Sequence, residues 1–281
     1  MKLSNLLLIV VFMGGAQLAA AQRVAILAPD RSEESIRYAE HLSTALHGKL
    51  KVLDNDLSRA AYNSATVENA FNLTTDEAKR IGAAIGCDAF ILVRAVDQPR
   101  VALGRGNYFE SYAAVFVVSS RTGRLIASHL LSREHAELPQ AAKLLTGSVG
   151  TLSDTIAVSL RGQEMGAKEP PPIEEVPESG SPLARNFRPP APYRRIKPEY
   201  TSKAAFYEIS ATVEALVDLG ADGKIMRIEI SRWAGFGLDE SVEAAIREMN
   251  WRPAERNGKF LPMRFLLRYN FKKIDKDQPA Q

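Results

Sequence analysis

The chain has 281 residues, 46% of them hydrophobic and 25% charged, with a formal net charge of +3 at pH 7. That length and apolar content suffice for one or two ordinary cores once any leader is set aside. The small charge, and the lack of any Lys and Arg run interleaved with aromatics, exclude nucleic acid as a leading partner.

The first 21 residues carry the pattern of a targeting signal. Lys2 gives a positive start, Leu6 to Met13 form an unbroken apolar run, and Ala19, Ala20 and Ala21 supply small residues before Gln22. The expectation is an exported protein, periplasmic or envelope-associated, whose mature chain begins near Gln22. The competing reading is an uncleaved inner-membrane anchor, because Leu3 to Ala21 approaches the roughly 20 residues that span a bilayer. Gly14, Gly15 and Gln17 weigh against it. No Cys lies near the cleavage point to take a lipid. The sole Cys, Cys87, sits in an apolar segment and reads as a small buried core residue.

Residues 22–165 alternate strand and helix. Val24 to Ala28 is an apolar run of buried-strand type, and Asp30 and Glu33 precede Ile36, Ala39, Leu42, Leu46 and Leu50 at helical spacing. Lys51 to Asp54 predicts a second short strand. Thr75 to Ile85 predicts a helix with Ala78, Ile81, Ala84 and Ile85 on one side, closed by Gly86 ahead of a strand over Ala89 to Val93. Tyr112 to Ser119 and Arg124 to Leu131 flank Thr122 and Gly123 as a hairpin, and one long helix is expected over Leu138 to Leu160. The sum is an α/β domain with a mixed sheet. The opening strand, the segment Glu77 to Val93 with Ile81, Gly82 and Gly86, and the turn at Arg121, Thr122 and Gly123 resemble the α/β domain of CsgG-like curli-secretion proteins and penicillin-binding-protein activators. That resemblance implies an envelope binding module without catalytic residues.

Residues 166–198 change texture, with prolines at 170, 171, 172, 177, 182, 189, 190, 192 and 198 and little apolar periodicity. Proline fixes φ and removes a donor, so the stretch predicts an extended, semi-rigid spacer rising about 3.1 Å per residue.

Residues 199–273 form the next unit, ahead of a polar tail over 274–281. Ile209, Ala211, Val213, Ala215, Val217 and Leu219 alternate with Ser210, Thr212, Glu214, Leu216 and Asp218, the period-two signature of a strand with one buried face. Gly220 to Gly223 turn the chain, and Met226, Ile228 and Ile230 return as the partner strand. Leu238, Val242, Ala245, Ile246 and Met249 then recur at helical spacing, with Asp239 and Glu240 at the positive helix start. Trp251 and Pro253 stop the helix, and Met263, Phe265, Leu267, Tyr269 and Phe271 alternate in a last strand. The order is β-β-α-β, and the chain as a whole is α+β.

These residues resemble the carboxy-terminal domain of TonB-family proteins: Pro198 and Tyr200 ahead of the first strand, Asp222 and Gly223 at its turn, Leu238 and Asp239 at the helix start, then Trp251, Pro253, Ala254 and Gly258 before a strand closing at Phe271. The chain departs from the family at Ser210, where a Gly is usual, and at Trp233, Ala234 and Gly235, where the family has a Ser, Ser, Gly turn. The resemblance implies a domain that contacts outer-membrane transporters by pairing an edge strand with an extended peptide. An open sheet edge offers unpaired N–H and C=O groups suited to that use. The candidate partner-binding residues are therefore Arg264, Phe265, Leu266, Leu267, Arg268 and Tyr269 on the last strand. Trp233 and Phe236 are a second aromatic spot, with packing over the hairpin as the competing reading. The expected function is a non-catalytic envelope protein that binds other envelope proteins, an outer-membrane transporter peptide among them. The alternative is a membrane-anchored energy transducer, although Leu6 to Ala21 hold no ionisable residue to read a proton-driven motor.

No catalytic residue, metal or cofactor is expected. His41, His47, His129 and His135 lack metal-ligand spacing or a nucleophile partner, and Gly104 and Gly106 do not sit between a strand and a helix as a dinucleotide loop must.

Overall fold

The computed structural model describes residues 22–102, 104, 106–162 and 172–273. The expected leader, residues 166–171 of the expected spacer and the expected polar tail lie outside them.

The first half opens with β1 (Arg23–Leu27), α1 (Glu33–Leu46), β2 (Lys51–Val52), α2 (Asn55–Ser64) and α3 (Thr75–Ile85). It continues with β3 (Ala89–Ala102), β4 (Gly106–Ser119), β5 (Leu125–His135), α4 (Leu138–Gly147) and α5 (Val149–Gly162). Five strands form one sheet in the order β2-β1-β3-β4-β5, with β1 parallel to both neighbours and the rest antiparallel. Side chains alternate across this sheet. Val24, Ile26, Ile91 and Val93 pack under α1, α4 and α5, whereas Ala25, Leu27, Phe90 and Leu92 face α2 and α3. Both faces are thus covered, which is why these strands read as continuous apolar runs.

Several boundaries differ from expectation. The strand expected over residues 89–93 runs on to Ala102 and forms a long hairpin with β4, because its outer half is polar and reads poorly as a strand on its own. The single helix expected over Leu138 to Leu160 breaks at Ser148, next to Gly147, where glycine is a poor helix former and the Ser148 hydroxyl donates to the Leu145 carbonyl. Leu50 lies beyond α1, which stops at Leu46. Helix α2 was not foreseen: it is polar on the whole and buries only Ser58 and Tyr62, and its start depends on the Asp54 carboxylate accepting from the Leu57 N–H.

The carboxy-terminal half holds β6 (Phe187–Arg188), β7 (Ala191–Pro192), α6 (Ser202–Phe206), β8 (Ala211–Leu219), β9 (Ile225–Arg232), α7 (Leu238–Glu248), β10 (Trp251–Arg252), β11 (Ala254–Arg256), β12 (Lys259–Leu261) and β13 (Met263–Phe271). A three-stranded antiparallel sheet, β13-β8-β9, packs Val213, Ala215, Val217 and Leu219 against Leu238, Val242 and Ile246 of α7. This is the expected β-β-α-β order, with short strands added. Two of the additions come from residues expected as spacer: β6 pairs with β11 and β7 with β10. Proline's fixed φ is compatible with edge strands where its missing donor is not needed.

The two halves pack together. A segment between them in space centres on Trp233, whose indole lies in the second core of the first half, beside Phe116.

Candidate partner-binding edge

Strand β13 pairs along its whole length with β8, from Met263 opposite Leu219 to Phe271 opposite Ala211. It stands at one end of its sheet. Phe265, Leu267 and Tyr269 point inward and pack on the core of this half, while Leu266 is 49% exposed and Arg268 and Asn270 face solvent. Sequence alternation placed these side chains as found.

The outer face of the sheet is ionic. Arg264 makes a two-pronged pair with Asp218 on β8, at 2.6 and 2.8 Å, and Arg268 meets Glu214 at 2.8 Å. Asp218 and Glu214 are nearly buried beneath these guanidinium groups. Such cross-strand pairs fix the register of β13, since a one-residue slip would separate every opposite charge and turn the apolar set outward. The carboxylate of Asp218 raises the Arg264 pKa above its ordinary value.

Backbone direction follows from two hydrogen bonds on the far side of β13. The Arg264 N–H donates to the Glu174 carbonyl at 2.7 Å, and the Arg264 carbonyl accepts from the Val176 N–H at 3.1 Å. The bridge is parallel, with Glu175 opposite Arg264. The backbone of Arg264 therefore faces away from β8, and strand periodicity sets Leu266, Arg268 and Asn270 the same way. Among the described residues those three have no backbone partner on that side. Phe265, Leu267 and Tyr269 direct their backbone groups into the ladder with β8.

Trp233 and Phe236 are placed differently. Trp233 is only 1% exposed, stacks on Phe116 with ring centroids 5.7 Å apart, and donates from Nε1 to the Gly123 carbonyl at 3.2 Å. Phe236 sits edge-on to the same ring, 5.9 Å away. Trp233 is packed, but into the core of the amino-terminal half rather than over the β8–β9 hairpin as the competing reading had it, and Phe236 packs against both halves. Gly235 lies between them with φ +68, and a Cβ there would come within 2.5 Å of the Phe116 ring. Asp239, at the start of α7, holds this turn by accepting the N–H groups of Ala234 and Gly235. Burial pushes its carboxyl up to about 7, against the opposing effect of those two bonds.

Around Trp233 the halves are stitched by polar contacts that sequence reading missed. The Asn72 side chain donates to the carbonyls of Thr212 and Trp233 and accepts from the Thr212 N–H. Thr74, the N-cap of α3, bridges Arg232 at the free side of β9. Glu110, 1% exposed, accepts from Gln98, Arg100, Ser132 and the Tyr207 hydroxyl, the last at 2.6 Å. Burial works against its charge, but these four donors overrule it and hold the carboxyl below the ordinary glutamate range. Tyr207 is pushed up, first by burial and then by its bond to Glu110. A polar residue alternating in a strand gives no sign of such a partner far along the chain.

Among the described residues no group of three or more His, Cys, Asp and Glu is placed to hold a metal, and no helix is long and apolar enough to cross a membrane. The recognisable feature is the carboxy-terminal half, with its edge strand, central β8, α7 and the Trp251 to Gly258 turn.

Residues 196–272 match the family model of the Gram-negative bacterial TonB protein C-terminal. The match takes in β8 through β13 and supports an envelope role of TonB type. Among solved structures, the lipoprotein GNA1162 from Neisseria meningitidis is 14% identical, with 49% of this chain and 99% of that one covered and a TM-score of 0.33. The hypothetical protein CT253 from Chlamydia trachomatis is 11% identical, with 49% and 99% covered and a TM-score of 0.31. The Pseudomonas aeruginosa TonB CTD is 20% identical, with 38% and 98% covered and a TM-score of 0.28. No curated protein matches the chain.

Proposed function

We propose that this is a non-catalytic envelope protein whose TonB-like domain binds partner proteins by adding an extended peptide to the edge of β13. The observation that carries this reading is the outward set of backbone groups at Leu266, Arg268 and Asn270, on a strand whose inner side chains anchor it to the core. Main-chain hydrogen bonds supply affinity in such pairing, and side chains beside them supply selection. The Trp233 turn is assigned to holding the two halves together rather than to partner capture.

The test uses backbone donors. Leu266→Pro and Arg268→Pro each remove an outward N–H and leave the β8 ladder intact. Both variants are expected to keep a wild-type circular dichroism spectrum and to lose the envelope proteins that wild type retains in a pull-down. Should both stay folded and keep every partner, edge pairing is wrong.

A further inference from the structure

Resting on that edge reading, we propose that Glu174–Val176 is a built-in occupant of the recognition edge, a strap that an incoming strand displaces. The strap already does what a partner would do. It lies parallel to β13, gives its Glu174 carbonyl to the Arg264 N–H and takes the Arg264 carbonyl with its Val176 N–H. Side chains add to the grip: the Glu174 carboxylate meets the Arg256 guanidinium at 2.5 Å, and Glu175 adds negative charge beside Arg264.

The strap is also arrested. Continued parallel pairing would bring the Val176 carbonyl to the Leu266 N–H, and that bond is absent among the described residues. Pro177 follows at once, its ring holding φ near the polyproline value, and the chain turns away through the Ser181 N–H to Glu178 carbonyl bond. One bridge therefore covers one residue. Leu266, Arg268 and Asn270 remain as a foothold on which a longer strand can begin pairing before it meets the strap. The strap belongs to the same chain, so it faces an incoming peptide at an effective concentration on the order of millimolar. A strap closed roughly nine-tenths of the time weakens the apparent affinity of any competitor about tenfold. Its acidic sequence between two prolines also states the chemistry a competitor has to match, an extended segment with a carboxylate placed for Arg256.

The experiment compares the full chain with a Glu174→Lys, Val176→Pro double variant, which removes the Arg256 pair and the Val176 donor without touching β13. Hydrogen exchange reads the strap directly. In wild type the Arg264 amide is expected to exchange more slowly than those of Leu266 and Arg268. In the variant it should match them while the Phe265 and Leu267 amides stay protected. A fluorescent synthetic peptide with the sequence of residues 172–178 is the binding probe, and its anisotropy titration should show at least about tenfold tighter binding to the variant. Equal Arg264 exchange in the two proteins overturns the strap and leaves the edge reading standing. Loss of Arg264 protection with no gain in peptide binding overturns the strap as a competitor for the edge, and the edge reading then stands or falls on the proline variants of β13.

Discussion

Trp233 ties the two halves of the molecule together. It is large, 1% exposed, stacked on Phe116 and bonded through its indole N–H to the Gly123 carbonyl, so it joins the TonB-like domain to a core in the other half. Trp233→Ala should cost about 3–5 kcal/mol by leaving a cavity and an unsatisfied turn carbonyl. Urea unfolding followed by circular dichroism is expected to show that loss as two separated transitions in place of one. Glu110 works at the same junction by charge. Its folded pKa is depressed, so its contribution is fully present above the unfolded glutamate value of about 4.3 and is lost as pH falls through the lower folded value. Glu110→Gln should therefore destabilise the protein by about 1–3 kcal/mol at neutral pH and flatten the acid limb of its stability curve below about pH 4.3. An acid limb unchanged by the substitution would show that Glu110 does not titrate with folding.

At the scale of elements, β13 is a strand with two jobs on alternate residues. Odd-numbered positions from 263 to 271 bond to β8 and fill the core; even-numbered positions carry the ionic face and the outward backbone. A proline scan should therefore split by parity. Leu267→Pro and Phe265→Pro each delete a ladder bond and distort a packed position, so both should lose about 3 kcal/mol or more, whereas Leu266→Pro and Arg268→Pro should lose much less. Chemical denaturation of the four variants decides it, and equal losses would mean that β13 is paired on both sides. The departure from the TonB pattern at Trp233, Ala234 and Gly235 has its explanation at this scale too. The turn between β9 and α7 is rebuilt as a plug for the other half, with Gly235 yielding room to the Phe116 ring and Asp239 gripping the backbone.

For the whole molecule, the two halves are joined by the chain between α5 and Glu174 and also through space. The contacts at Asn72, Glu110, Arg124 with Glu229, and Trp233 do not depend on the covalent connection. A protease site inserted between residues 163 and 171 should therefore give, after cleavage, two fragments that still elute together on gel filtration. Adding Trp233→Ala should release them. Separation of the cleaved wild-type fragments would show that the connection, and not the interface, sets their arrangement.

The alternation of Ile209 to Leu219 and of Met263 to Phe271, and the helical spacing of Leu238 to Met249, by themselves determined the β-β-α-β order, because a two-residue or 3.6-residue period in apolar side chains is itself a statement about which face is buried. The same holds for β1, α3 and the hairpin of β4 and β5 around Thr122 and Gly123, and for which side chains of β13 lie inward. Tertiary structure alone decided what Trp233 and Phe236 touch, what satisfies Glu110, and where Glu174 to Val176 lie. Each of these depends on a partner tens to more than a hundred residues away in the chain. Local periodicity encodes which way a residue faces, but pairing across such separations is chosen by the packing of whole elements, and no short stretch of sequence carries it.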